Sequence, residues 1–214
     1  MKTVIREYTV YEYMELFDEA KEKAKQWYLD DSLRVMDFYD QIVMDLKNLF
    51  PNSDLKPQFS LSSCQGDGVN IYGDLNINDI LNLPSSGICG DQFNNMLEFF
   101  TEKELKTLQC YMKECGETIK LPRNPGYAYC FVDRMDVEEW SNPLWEASFR
   151  NINTKLLTKL KAYIANIILK LCWDYENEGY KYLYEIDDET MKETCDANQW
   201  YFLEDGTFFS EGDE

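Results

Sequence analysis

The sequence contains no histidine. Its absence removes the side chain that most often acts as a general base near neutral pH. It also removes the Ser-His-Asp arrangement and the commonest zinc ligand. A catalytic cysteine would have to find another activator. No stretch approaches the ~18 apolar residues of a membrane-spanning helix, and Met1 to Val10 is too polar for the apolar heart of a signal peptide. Basic residues are scarce: 21 Lys and Arg stand against 40 Asp and Glu, for a net charge of −19 over 214 residues. Such a surface repels anionic membranes and nucleic acid, so neither a membrane nor duplex DNA is an expected partner. No internal repeat and no flexible linker interrupts the chain, so one compact domain over residues 1–214 is expected.

What is present suffices for a packed core. Hydrophobic residues make up 44% of the chain and aromatics 15%, well above the composition of disordered segments. The seven cysteines are odd in number and lack a secretory context, which favours free thiols in a reducing cytosol. The acid is unevenly placed. Residues 174–214 hold 14 Asp or Glu and two Lys, a net −12. Runs of acid often serve only as solvated surface.

The pattern of apolar residues predicts an α+β fold. Residues 3–14 (TVIREYTVYEYM) partly alternate and are rich in aromatic and β-branched residues, as in a strand. Phe17, Ala20, Ala24, Trp27 and Tyr28 share one helical face. Ser32 is a candidate cap for a second helix, whose apolar period runs from Val35 to Phe50 before Pro51. Residues 57–63 and 69–74 read as two strands around the turn Gln65-Gly66-Asp67-Gly68. Residues 84–90 read as a loop, followed by a helix through Phe93 and Phe100. Thr101 and Glu104 form a capping box for a further helix. Gly116 is that helix's natural end. Residues 117–121 and 127–132 read as two more strands. The clearest element is a long helix from about Thr154 to Asn177, with Leu156, Leu160, Ile164, Ile167, Ile168 and Leu171 on one wide stripe. Its lysines come first and its acids last, an order unfavourable to the helix dipole. Residues 187–195 suit a short acidic helix, and Asp205-Gly206 suits the turn of a small hairpin between aromatic runs.

No motif for chemistry survives inspection. Cys110 and Cys115 are separated by four residues, not the two of zinc knuckles or redox pairs. Asp74-Leu-Asn76-Ile-Asn78-Asp79 begins like a calcium loop, but Asp79 stands where Gly is required and Ser85 where Glu is required. A strand end followed by a helix cap explains it better. The two glycines of Gln65-Gly66-Asp67-Gly68 lack the Lys-Ser/Thr of a phosphate loop. Lys155, Lys159, Lys161 and Lys170 form a basic helix face, which alone is a weak nucleic-acid signal. No cofactor and no metal are expected, and the chain reads as a binding protein rather than an enzyme.

Three stretches together carry a resemblance: ELFDEAKEKAKQWY at 15–28, FSLSSCQGDGV at 59–69 and FLEDGTF at 202–208. They cover about a sixth of the chain, but their order and spacing span most of it. The combination resembles a family of small uncharacterised proteins of bacteriophages and mobile elements. Cys64 departs from the Ser of that pattern, and Phe17 from its Ser cap. The resemblance implies origin in a phage or mobile element and a place in the cytoplasm of the bacterial host. It supplies no catalytic residues. Small acidic proteins of that source resemble inhibitors of host defence, anti-CRISPR proteins among them. The expectation is therefore an acidic inhibitor that binds a basic, nucleic-acid-handling host protein, such as a Cas effector, by nucleic-acid mimicry. The expected contact residues are Asp174, Glu176, Glu178, Glu185, Asp187, Asp188, Glu189, Trp200 and Tyr201. The alternatives are a metal- or cysteine-dependent enzyme that modifies a host component, and an antitoxin-like regulatory partner.

Overall fold

An apolar residue at every third or fourth position from Leu156 to Tyr175 should bury one side of a helix, and it does. In the structure, a computed structural model, this stripe lies on the longest helix among the described residues. The structure describes residues 7–64, 66–81, 83, 99–115, 118–123 and 154–210. Expectations for residues 84–98, Gly116 and 127–132 fall outside that set.

Among the described residues there are six α-helices and three strands, an α+β arrangement. In chain order they are α1 (Asp18–Leu29), α2 (Leu33–Leu49), β1 (Asp54–Ser60), β2 (Gly68–Asn76) and α3 (Ile77–Leu81). Then follow α4 (Glu102–Cys115), β3 (Thr118–Leu121), α5 (Thr154–Tyr184) and α6 (Asp188–Asn198). The chain groups into two compact units. One comprises residues 1–38 and 180–214, the other residues 39–179.

The second unit holds the sheet. Its order is β1-β2-β3, antiparallel throughout, with Leu55 opposite Gly73 and Leu75 opposite Ile119. Val69, Ile71, Leu75, Ile119 and Leu121 are buried with Leu160, Ile164, Ile168 and Leu171 of α5. Each such side chain contributes roughly 1.5–3 kcal/mol of burial. The thiol of Cys172 hydrogen-bonds the main chain of Ile71, and burial pushes its pKa up to about 12.

The turn between β1 and β2 is organised by one carboxylate. Asp67 is buried. It accepts from the Ser62 and Cys64 amides at 2.7 and 3.0 Å. It also accepts from the Ser60 and Ser62 hydroxyls at 3.1 and 3.2 Å. The residue with left-handed backbone in this turn is Ser63, at φ 57°, whereas Gly68 is close to extended at φ 159°. Both residues have positive φ, Gly68 at its extended edge and Ser63 in the left-handed helical region. At the other end of β2, Asn76 accepts from the Asn78 amide at 2.9 Å. Asp79 accepts from Asn52 and Ser53 at 2.6–2.9 Å. The calcium-like stretch is thus a strand end and a helix cap.

Thr101 and Glu104 form the expected capping box. The Thr101 amide donates to Glu104 at 2.8 Å, and the Glu104 amide to the Thr101 hydroxyl at 3.3 Å. Lys159 of α5 adds a 2.9 Å ion pair to the same carboxylate. The Thr101 amide first, then Lys159, lower the pKa of Glu104 to about 2. A depressed folded-state value means that its contribution is present above the ordinary range near 4.5 and is lost as pH falls toward 2. An NMR titration should find Glu104 ionising near pH 2. In Glu104→Gln, the part of the acid destabilisation between pH 4.5 and 2 that comes from this group should disappear.

The first unit is built on aromatics. Tyr13, Leu16, Ala20, Ala24, Met191, Cys195 and Phe202 form its buried core, with Tyr28, Ile186, Trp200 and Phe208 packed against it. Trp27 stacks on Phe208 at 4.1 Å with the rings nearly parallel. The C-terminal hairpin forms as expected: Phe202 pairs with Phe208, and Gly206 at φ 81° turns the chain.

Two local expectations fail. Residues 7–14 do not form a strand. Tyr11 makes a single bridge to Phe202, and a 3₁₀ turn then spans Tyr13–Glu15. A strand needs a partner along its length, and among the described residues Tyr11 bridges Phe202 alone. The α2 start is capped by Asp31, which accepts from the Leu33 amide at 2.9 Å, rather than by Ser32. The dipole problem read into α5 also resolves. The helix runs seven residues past Asn177, so Asp174, Glu176 and Glu178 lie before its end and Lys181 occupies its last turn.

Candidate functional site

The expected contact residues are divided between the two units. Asp174, Glu176 and Glu178 belong to the second. Asp174 is half-buried and paired with Lys170. Burial first, and then the charge of Asp67, raise the pKa of Glu176. Glu178 is exposed.

The first unit holds Glu185, Asp187, Asp188, Glu189, Trp200 and Tyr201. Asp187 caps α6 by accepting from the Thr190 amide at 2.7 Å. That bond lowers the pKa of Asp187. Asp188 accepts from the Tyr13 hydroxyl at 2.8 Å and pairs with Lys25 at 2.7 Å. Lys25 and then Tyr13 hold its carboxyl below the usual range. Glu185 and Glu189 are exposed and make no ion pair among the described residues. Trp200 is half-buried, edge-on to Trp27 at 5.2 Å and to Phe208 at 6.0 Å. Tyr201 remains 42% exposed. Of the two aromatics, Tyr201 is the one available to a partner.

The acidic face is wider than the expected set. From Glu185 to Asp205, eight carboxylates are exposed: Glu185, Asp187, Asp188, Glu189, Glu193, Asp196, Glu204 and Asp205. Lys192 is the one basic residue in that stretch, and it pairs with Asp196. Lys23 pairs with Asp205 at 2.7 Å. Such exposed pairs are weak and screened by salt, so a partner's cations can displace them. Glu193, Asp196, Glu204 and Asp205 lie outside the expected set because none sits in a run as dense as Asp187–Glu189.

The lysine face of α5 is partly committed. Lys159 pairs with Glu104 and lies over the rings of Phe99 and Phe100. Lys170 pairs with Asp174 and lies over Trp173. This leaves less positive charge for a nucleic acid than the sequence suggests.

Among the described residues, no group of three or more Cys, Asp or Glu side chains is placed to hold a metal ion, and no helix is long and apolar enough to cross a membrane. Cys64, Cys110, Cys172 and Cys195 are free thiols.

One feature of the first unit had no signal in the sequence. A cleft of about 720 Å³ is lined by residues of α1, the start of α2, the end of α5 and the start of α6. Arg34 lies in it between the rings of Tyr28 and Tyr182, at 4.4 and 4.7 Å from their centroids. It donates to the main-chain carbonyl of Tyr182, in the last turn of α5.

Comparison with family models, with curated proteins and with solved structures finds no match for the chain.

Proposed function

We propose that this protein is a non-catalytic inhibitor that occupies the nucleic-acid-binding surface of a basic protein, with Cas effectors as the leading class of target. The observation that supports the reading most is the exposed carboxylate series from Glu185 to Asp205. The helix α6 is 11 residues long, about 16 Å at the usual helical rise. It carries Asp188, Glu189, Glu193 and Asp196, roughly one charge per 4 Å of axis. A DNA strand presents one phosphate per about 3.4 Å. Lysines and arginines arranged for a phosphate strand can therefore meet carboxylates at similar intervals. Charge of this kind sets encounter rate and orientation more than final affinity. Exposed Tyr201 supplies an apolar contact beside it.

The phage or mobile-element origin, and with it a bacterial cytoplasm, rests on the resemblance of the three sequence stretches. The test is competition. The protein should displace nucleic acid from its target at one copy or more per target, and duplex DNA should displace the protein. An enzyme would inactivate the target at far less than one copy.

A further inference from the structure

Arg34 is a buried cation that makes no ion pair among the described residues. It is 6% exposed. Its Nε is sealed from solvent and has no hydrogen-bond acceptor among the described residues. Among the described residues no carboxylate lies within ion-pair distance of it. Its bond to the Tyr182 carbonyl makes it a cap for the C-terminus of α5, a favourable position for a cation. Capping uses one of five guanidinium donors. It does not require burial, and an arginine this deep is ordinarily paired.

The other charges of the cleft are already engaged or lie toward solvent. Glu22 and Lys25 are bound to each other at 3.0 Å. Asp187 is occupied by Thr190. Glu185 is exposed, and Lys181 is exposed without an ion pair among the described residues. The remaining wall is largely apolar or aromatic, from Tyr28, Leu29, Tyr182, Tyr184 and Ile186. The volume falls within the range of small-molecule sites.

We infer that this cleft binds a small organic anion, whose carboxylate accepts hydrogen bonds from Arg34 and whose body lies along the tyrosine and aliphatic wall. With Nε sealed and one terminal N–H given to Tyr182, the remaining terminal N–H groups are the donors left for a carboxylate. The guanidinium's position between two rings fixes its plane before the ligand arrives, which reduces the ordering cost of binding. Lys181 adds positive charge at the mouth. The cleft borders the acidic face at Glu185 and Asp187, but the inference rests on Arg34 and is tested separately from the proposed function.

The probes are sodium benzoate and inorganic phosphate, each added to the full chain at ionic strength held constant with sodium chloride. Near saturation, benzoate should raise Tm by roughly 5 °C or more, and phosphate should raise it less because it leaves the apolar wall uncovered. Arg34→Met should abolish the benzoate shift. If that variant does not fold, Lys181→Glu, on an exposed position, should weaken benzoate binding by several-fold in calorimetric titration. No benzoate shift at any soluble concentration overturns the inference, as does an equal shift in the folded Arg34→Met variant or unchanged affinity in Lys181→Glu. A larger shift with phosphate than with benzoate overturns the assignment to a carboxylate.

Discussion

Replacing Gly206 with valine is expected to lower Tm by roughly 6–12 °C, the equivalent of about 3 kcal/mol in a chain of this size. Two facts combine at this residue. Its φ of 81° is the left-handed region that β-branched residues avoid, and a Cβ built there meets the carbonyl oxygen of Ala20 at 2.1 Å. Backbone of α1 stands in the way, so no side-chain rotation relieves the clash. Ala20 belongs to the buried core of the first unit, and the hairpin carries Phe202 and Phe208 into the same core. The effect should therefore be a loss of aromatic packing, visible as a loss of near-ultraviolet circular dichroism. Glu204→Ala, two residues away and exposed, should change Tm by little, as surface substitutions usually cost under ~0.5 kcal/mol. Equal stability of Gly206→Val and wild type would mean that the hairpin does not dock on α1 as described.

The second large effect concerns association. Changing Glu185, Glu189, Glu193 and Glu204 together to glutamine should slow association with a basic target by on the order of 10-fold at low salt. The rate should also become less sensitive to added salt. These four are chosen because each is exposed and none holds a cap or ion pair among the described residues. Asp187 and Asp188 are poorer choices despite their place in the densest acidic run. Asp187 caps α6, and Asp188 ties Tyr13 and Lys25 to it. A change at either position would mix folding with binding. Thermal unfolding of the four-fold variant should match wild type, which separates the two effects.

Where regular structure follows from local chemistry, it was legible in the sequence. The α5 stripe, the Thr101–Glu104 box, the β1–β2 hairpin and the Asp205-Gly206 turn all follow from spacings of four residues or fewer, or from turn residues. Where the outcome depends on contacts between distant segments, it was not legible. Residues 3–14 alternate well enough for a strand, but among the described residues 7–14 the one bridge is Tyr11 to Phe202. Trp200 sits in an acidic stretch and reads as a surface anchor, yet Trp27 and Phe208 half-bury it. The cleft needs Tyr28, Arg34 and Tyr182, and the Arg34–Tyr182 bond spans 148 positions. No local pattern marks that arginine, whose surroundings are set entirely by the packing of the first unit.

Phe17 breaks a local rule. It occupies the N-cap of α1, makes no side-chain capping bond and is 76% exposed. A serine there would supply a cap bond, typically about 1 kcal/mol of stability. Nothing in the structure explains the phenylalanine.

Under the proposed function, the carboxylate face competes with nucleic acid for a basic surface. The most direct measurement titrates the protein into a preformed complex of its target with labelled duplex DNA and follows release of the DNA. Release should reach completion near one copy of protein per target. Excess unlabelled DNA should reverse it, and the four-fold glutamine variant should release the DNA more slowly. Full inactivation of the target at a small fraction of one copy, or tight binding that leaves the DNA in place at every concentration, would contradict the account.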